Sequence, residues 1–204
     1  MTADAEALGR RYGAHVPGLM GARWRCAVLV PLVQGPGGRT ELLFETRSAA
    51  VRQGGEVCFP GGRAEPEETA EDCALRETEE ELSIPRREIE ILGQSDFLCN
   101  QRGFLLQPVL GAVSRLGLEA VRPAPAEVAE AFTVPLAFFR ETEPVVGRYA
   151  LTPELPEDFP YEAAGIPRDY GWSRGSVEVP AWRYGDHVIW GMTARIIRDI
   201  LRGS

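Results

Sequence analysis

Lysine is absent from this chain. All 22 basic residues are arginines, set against 30 acidic ones, and the net charge is −8. That balance excludes a surface built to coat nucleic acid, which must be basic. A small anionic substrate stays compatible, provided arginines or metal ions gather locally. Cysteine is sparse: the four residues (Cys26, Cys58, Cys73, Cys99) are scattered, with no C-x-x-C pair. This speaks against a zinc ribbon or disulfide framework and fits reduced thiols in a cytoplasm. No apolar run approaches the roughly 20 residues that span a bilayer. The start, Met-Thr-Ala-Asp-Ala-Glu, lacks the basic and apolar stretches of a secretory signal. The expectation is a cytoplasmic protein with no membrane association. His15 and His187 are the only histidines, and His187, at the turn before the last helix, reads more simply as structural than as a substrate contact.

With 204 residues the chain fits one globular domain. Residues 1–24 read as an N-terminal extension carrying a short helix, and 25–204 as the domain proper. Residues 25–33 form an apolar run typical of a buried strand, Gly35 to Gly38 a turn, and 40–46 a returning strand. A glycine-rich loop over 53–62 precedes a helix over 70–82. Further strands are expected at 89–98, 104–113, 131–135 and 146–151. The stretch 153–175, rich in Pro, Glu, Asp and Gly, reads as a surface excursion. A last strand, 177–183, leads to an amphipathic helix over 190–201. The pattern predicts an α+β fold, a mixed sheet flanked by helices in an α/β/α sandwich.

Chemistry concentrates between Gly61 and Ile84. Thr69 and Asp72 form a T-x-x-D capping box, so the helix should begin at Ala70. At 100° per residue, Glu77, Glu80 and Glu81 share an arc of about 100°. Ala70 and Cys73 extend that arc with small side chains, while Ala74, Leu75, Thr78 and Leu82 gather on the adjoining, core-facing arc. Acidic runs are usually solvated helix surface. Here, however, like charges at i,i+3 and i,i+4 repel, and acids in the last turn oppose the macrodipole. Both penalties are relieved by a bound cation, and hard oxygen ligands on one rigid face suit Mg²⁺.

The spacing from Gly62 onward, G-x5-E-x7-R-E-x-x-E-E, resembles the Nudix box. Gly62, Glu68, Arg76, Glu77, Glu80, Glu81 and Ile84 match in register, whereas Thr78 replaces an aliphatic residue and Ser83 a glycine. Thr78 lies on the core side, where its methyl can pack and its hydroxyl bond back to the helix. Ser83 falls where a left-handed residue often ends a helix. The resemblance implies a Nudix fold and a pyrophosphohydrolase requiring Mg²⁺ or Mn²⁺. By its pattern, Glu77, Glu80 and Glu81 would be catalytic metal ligands, with the Gly61 carbonyl as a further one. Arg76 would hold a neighbouring glutamate in its rotamer, and Glu68 would brace the loop against the helix. The ions would neutralise pyrophosphate charge, acidify a bound water and align it with phosphorus. The general base is left open between Glu77 and a downstream glutamate such as Glu130.

Upstream, residues 43–62 are similar to the signature of the coenzyme A pyrophosphatase branch, L-L-T-x-R-S-x3-R-x3-G-x3-F-P-G-G. Arg47-Ser48, Arg52, and Gly55-x3-Phe59-Pro60-Gly61-Gly62 agree; Phe44 and Glu45 replace Leu-Thr, and the Arg52–Gly55 spacing is one residue shorter. Coenzyme A bears a 3′-phosphate beside its pyrophosphate, and arginine forks match phosphate oxygens. The resemblance therefore implies substrate contacts from Arg47, Arg52, Gly55 and Arg63, and a small-molecule substrate: coenzyme A or an acyl or oxidised derivative. The segments 107–111, 127–136 and 189–194 extend the likeness, and many such relatives form homodimers. The rivals are a Nudix enzyme for ADP-ribose, dinucleotides or nucleoside triphosphates, and a catalytically silent nucleotide-binding module.

Overall fold

The computed structural model describes residues 2–15, 18–100 and 102–202. An exposed helix, α1 (Ala3–Tyr12), buries none of its side chains. The apolar run that follows becomes the spine of the fold, β1 (Trp24–Gln34). Its even residues, Cys26, Val28, Val30 and Leu32, face one core, while Ala27, Leu29 and Val33 face another. This is the period-two alternation of a strand buried on both sides.

After a glycine turn, β2 (Thr40–Arg47) returns antiparallel along the end of β1, pairing Leu32 with Leu42. Then β3 (Val57–Cys58) pairs with β2, and β4 (Gly61–Arg63) pairs with the start of β1, Val28 opposite Gly61. One edge of β1 is thus filled in two instalments. At the joint, the Leu29 amide donates to the Pro60 carbonyl at 2.9 Å. The glutamate helix, α2 (Ala70–Leu82), comes next.

On the other edge of β1, β7 (Phe104–Val113) runs parallel, with β5 (Ile89–Gln94) and β6 (Leu98–Cys99) antiparallel to it. A short α3 (Arg115–Ala120) leads to β8 (Val128–Pro135), which pairs antiparallel with β2 and starts three residues earlier than its sequence pattern predicts. Its N-terminal residues join the sheet across an irregularity at Thr46–Arg47. These eight strands form one mixed sheet.

The expected strands at 146–151 and 177–183 lie in a separate sheet. After α4 (Leu136–Glu141), β9 (Val145–Leu151) pairs with β10 (Gly175–Tyr184), which turns at Gly185 (φ 58°) into β11 (His187–Trp190). Between β9 and β10 the excursion carries one helical turn, α5 (Tyr161–Ala164), among the packed rings of Phe159, Tyr161, Tyr170 and Trp172. The last helix, α6 (Gly191–Arg202), packs against β10 and β11.

The main sheet is covered on both faces. On one, α2 packs through Cys73, Ala74 and Leu82 onto Ala27, Leu29, Leu43 and Val109, a core of small and aliphatic side chains. On the other, α6 and the small sheet meet a core with an aromatic cluster, Phe44 stacked on Phe59 and on Phe132 and contacting Phe139.

Candidate active site

The helix begins where its capping box predicts. The Thr69 hydroxyl oxygen accepts from the Asp72 amide at 3.0 Å, and Ala70 is the first helical residue. At the other end, Ser83 occupies the left-handed region (φ 59°, ψ 24°), the conformation usually given to glycine. Its hydroxyl donates to the Arg122 carbonyl at 3.1 Å. Thr78 is fully buried, and its hydroxyl donates to the Ala74 carbonyl at 2.6 Å.

Arg76 organises the acids around it. Its Nε and Nη2 grip the two oxygens of Glu68 at 2.9 and 3.1 Å, a bidentate fork. Its Nη1 reaches Glu77 at 2.9 Å and Glu80 at 3.1 Å. The Glu68 and Glu77 side chains are only 12% and 16% exposed, against 60% for Glu80. The first two pairs are therefore the stronger, and the third resembles a solvent-screened surface pair. Hydrogen bonding from Arg76 holds the Glu68 carboxyl down at about 2. Glu68 also accepts from the Glu65 amide at 2.8 Å, which ties the loop before the helix to the helix itself.

Glu81 is buried, with one oxygen accepting from the Gly61 amide at 2.8 Å. Burial raises its carboxyl above the ordinary range, and the charge of Glu45 raises it further. Burial raises Glu77 as well, against the pull of Arg76. Gly62 gives that carboxylate its space: a Cβ there would overlap the Glu77 carboxyl.

Glu45 on β2 belongs to the same group of acids. It is 1% exposed; one oxygen accepts from the Cys58 thiol at 3.3 Å, and the other, Oε2, has no hydrogen-bond partner among the described residues. Burial raises its carboxyl too, opposed by the thiol contact. Strand alternation indicates its face: Leu43 packs with α2, Phe44 with the aromatic core, so Glu45 lies on the α2 side. The sequence carries that signal in its period-two pattern, although Glu45 reads there only as a departure from a motif. The charge of Glu127 acts on both Glu45 and Glu77. Glu130 shares its strand face with Phe132 instead, and its carboxylate stands 4.0 Å from His187, which stacks on that ring.

Among the described residues, no group of three or more His, Cys, Asp or Glu side chains is gathered tightly enough to grip a metal. The donor chemistry nevertheless suits one. Buried carboxylates that repel each other and an orphaned carboxylate oxygen constitute a deficit of positive charge, costly unless a cation is supplied. All the donors are hard oxygens, the preference of Mg²⁺, which needs only one or two carboxylates beside water and substrate.

On the far side of Gly61 and Gly62, a cavity of about 540 Å³ opens between the main sheet and the α6 layer. Arg47, Arg63, Arg102 and Arg195 line it, together with apolar side chains including Phe104 and Trp190. Two of the four expected substrate contacts, Arg47 and Arg63, therefore border this cavity, whereas Arg52 and Gly55 are not among its lining residues. Arg52 is exposed, and its carbonyl accepts from the Arg47 Nε at 3.1 Å. Gly55 (φ 82°) closes the loop, its amide donating to the Arg47 carbonyl at 2.8 Å. The pair steadies Arg47. Arg102 and Arg195 come from a β6–β7 turn and from α6, where no motif draws attention to them.

Residues 23–150 match the NUDIX domain family. The chain is 35% identical over 177 residues to NudL of Photorhabdus laumondii, an uncharacterized Nudix hydrolase, covering 85% of this chain and 81% of that one. It is 30% identical over 206 residues to the human mitochondrial coenzyme A diphosphatase NUDT8, covering 99% of this chain and 79% of the relative. Among solved structures, the Nudix hydrolase RenU from M. smegmatis superposes with a TM-score of 0.50 at 22% identity, covering 58% of this chain and 74% of that one. That likeness concerns the fold. The matched domain, the relatives and the architecture agree with the helix geometry: this chain belongs to the Nudix family of pyrophosphohydrolases, enzymes that generally use divalent metals such as Mg²⁺ or Mn²⁺.

Proposed function

We propose that this enzyme hydrolyses the pyrophosphate bond of coenzyme A, or of an acyl or oxidised derivative, to 3′,5′-ADP and 4′-phosphopantetheine. The observation that carries the reading is the arginine-lined cavity across Gly61 and Gly62 from the glutamate helix. Its four arginines suit a ligand with three phosphate groups, and its apolar wall suits a pantetheine arm. The human relative's activity, as its name states it, points the same way. The net charge of −8 opposes a polyanion such as nucleic acid as substrate.

In this reading Glu77, Glu80, Glu81 and the Gly61 carbonyl hold the cation, Mg²⁺ or Mn²⁺. When bound, the cation supplies charge neutralisation at the diphosphate and an acidified water. Arg76 keeps Glu77 aimed while Glu68 keeps Arg76 in place. Arg47 and Arg63 hold phosphate oxygens and so present the bridging bond to the carboxylate side of Gly61 and Gly62. Exclusion of bulk water from the buried acids strengthens each of these interactions.

The test is a panel of coenzyme A, acetyl-coenzyme A, ADP-ribose and a dinucleoside polyphosphate, with Mn²⁺ present. Coenzyme A substrates should give the highest kcat/KM. Products formed in ¹⁸O water should carry the label on one phosphate, which locates the attacked phosphorus. Faster cleavage of ADP-ribose than of every coenzyme A substrate would reject the substrate assignment and leave the Nudix chemistry standing.

A further inference from the structure

We propose that Glu45 is an additional ligand of the divalent cation, so that the site is completed from β2 as well as from the glutamate helix. This rests on the reading that the helix glutamates hold the metal.

Three observations meet at this residue. Its Oε2 is buried and, among the described residues, has no hydrogen-bond partner, in a residue only 1% exposed. A carboxylate oxygen sealed from water without a donor is among the costlier features a fold can retain. Next, the carboxyl lies on the α2 side of the sheet, and among neighbouring charges it is the one that acts most strongly on Glu81. Finally, the other oxygen is fixed by the Cys58 thiol, two residues before Pro60 in the segment that leads to Gly61. One oxygen is anchored by the thiol, and the other is left to find its partner in what the site binds.

Glu45 also departs from the signature that residues 43–62 resemble, which has threonine at its position. A threonine hydroxyl could satisfy itself against the backbone. A glutamate in the same buried position brings, when ionised, a negative charge beside Glu81, an arrangement that a bound cation makes favourable. Arg47 alone does not provide it, because its Nε is committed to the Arg52 carbonyl. The alternative is a permanently neutral acid with a packing role.

Mn²⁺ binding to the substrate-free protein separates the two, read by calorimetry and by water-proton relaxation, which counts waters on the ion. Glu45→Gln keeps size, shape and the acceptor for Cys58. It should weaken Mn²⁺ binding about 10- to 100-fold, the usual cost of disturbing a metal site, add one water to the bound ion, and raise the melting temperature of the chelator-treated protein. Unchanged affinity would overturn the proposal, and so would weaker binding with an unchanged water count, which would make Glu45 a nearby charge only. Glu81→Gln run in parallel distinguishes the layers: if it too leaves Mn²⁺ affinity intact, the metal-site reading fails along with this one. Should Glu45→Gln not fold, Glu45→Asp retains the charge but withdraws the carboxyl by one methylene. It should then show the same loss of affinity, and wild-type affinity in that variant would equally overturn the proposal.

Discussion

The two faces of the main sheet handle charge in opposite ways. On the α2 face, acids are held in place and all but Glu80 are largely withdrawn from solvent: Arg76 spans Glu68, Glu77 and Glu80, Gly61 holds Glu81, and Cys58 holds Glu45. On the α6 face, arginines line an open cavity, and Arg63, Arg102 and Arg195 come from three separate segments. The contrast teaches that bond cleavage and substrate recognition make different demands. Cleavage needs charges fixed before the substrate arrives, because reorganisation at the moment of reaction raises the barrier. Recognition of phosphates tolerates exposed, separately placed cations, since each contact adds modestly and independently.

The contrast breaks most visibly at Glu81. Glu81→Gln should lower kcat on the order of 10³-fold, corresponding to several kcal/mol of lost metal assistance, while circular dichroism remains native. Near-wild-type turnover would show that the buried acids are merely structural. Gly62→Ala comes next. The added methyl displaces the Glu77 carboxyl, and a loss of roughly 10- to 100-fold in kcat is expected, a loss typical of misplaced groups around a metal. Equal kcat in the two proteins would mean that the position of Glu77 does not matter.

Across the sheet the effects should be smaller and fall on KM. Arg47→Ala and Arg63→Ala should each raise KM for coenzyme A about tenfold with kcat within a few-fold, the signature of uniform binding. Arg52→Ala, whose side chain does not line the cavity, should change KM less than Arg47→Ala. The reverse order would assign recognition to the loop rather than to the cavity.

Two stability measurements sharpen the α2 side. With metal chelated, Glu45, Glu77 and Glu81 carry carboxyls raised above their unfolded values, so folding takes up protons and stability should increase as pH falls through neutrality. Glu68 has the opposite sign. Its carboxyl is held at about 2, so its contribution is present above the ordinary value of ~4.3 and is lost as pH descends from there. A melting temperature that climbs on acidification and then drops below about pH 4 is expected, whereas one that falls steadily from pH 8 would contradict the buried repulsion. The smallest effect is at the helix exit. Ser83→Gly removes left-handed strain of ~1 kcal/mol but also the hydroxyl bond to Arg122, so chemical denaturation should show a net gain below ~1 kcal/mol.

These sides were not equally legible in the sequence. The glutamate helix could be read because its determinants are local: a cap at Thr69, an arc of three glutamates, and an arginine at fixed spacing. Even the substitutions Thr78 and Ser83 adopted conformations that their chemistry permits. The mixed sheet was legible too, since alternation in β1 and β2 identifies strands with both faces buried. The second sheet was not, because β9 and β10 carry few buried residues and nothing local tells which sheet a half-exposed strand joins. Arg102 and Arg195 escaped for a related reason: long-range folding alone brings a turn and a helix to one cavity. Arg52 shows the converse. Its motif spacing suggested a substrate contact, yet its carbonyl, which no side-chain motif encodes, makes the structural bond.

The two-instalment pairing along β1 has a mechanical consequence. The loop that carries Arg52 is clamped at its base, where Arg47 and Glu56 meet across a hydrogen bond, and the chain beyond is clamped again where Leu29 meets Pro60. A tug on the loop tip is therefore resisted at two successive seams before it reaches Gly61. The floor beneath the loop, on which the carboxylates stand, therefore keeps its level however the tip is loaded.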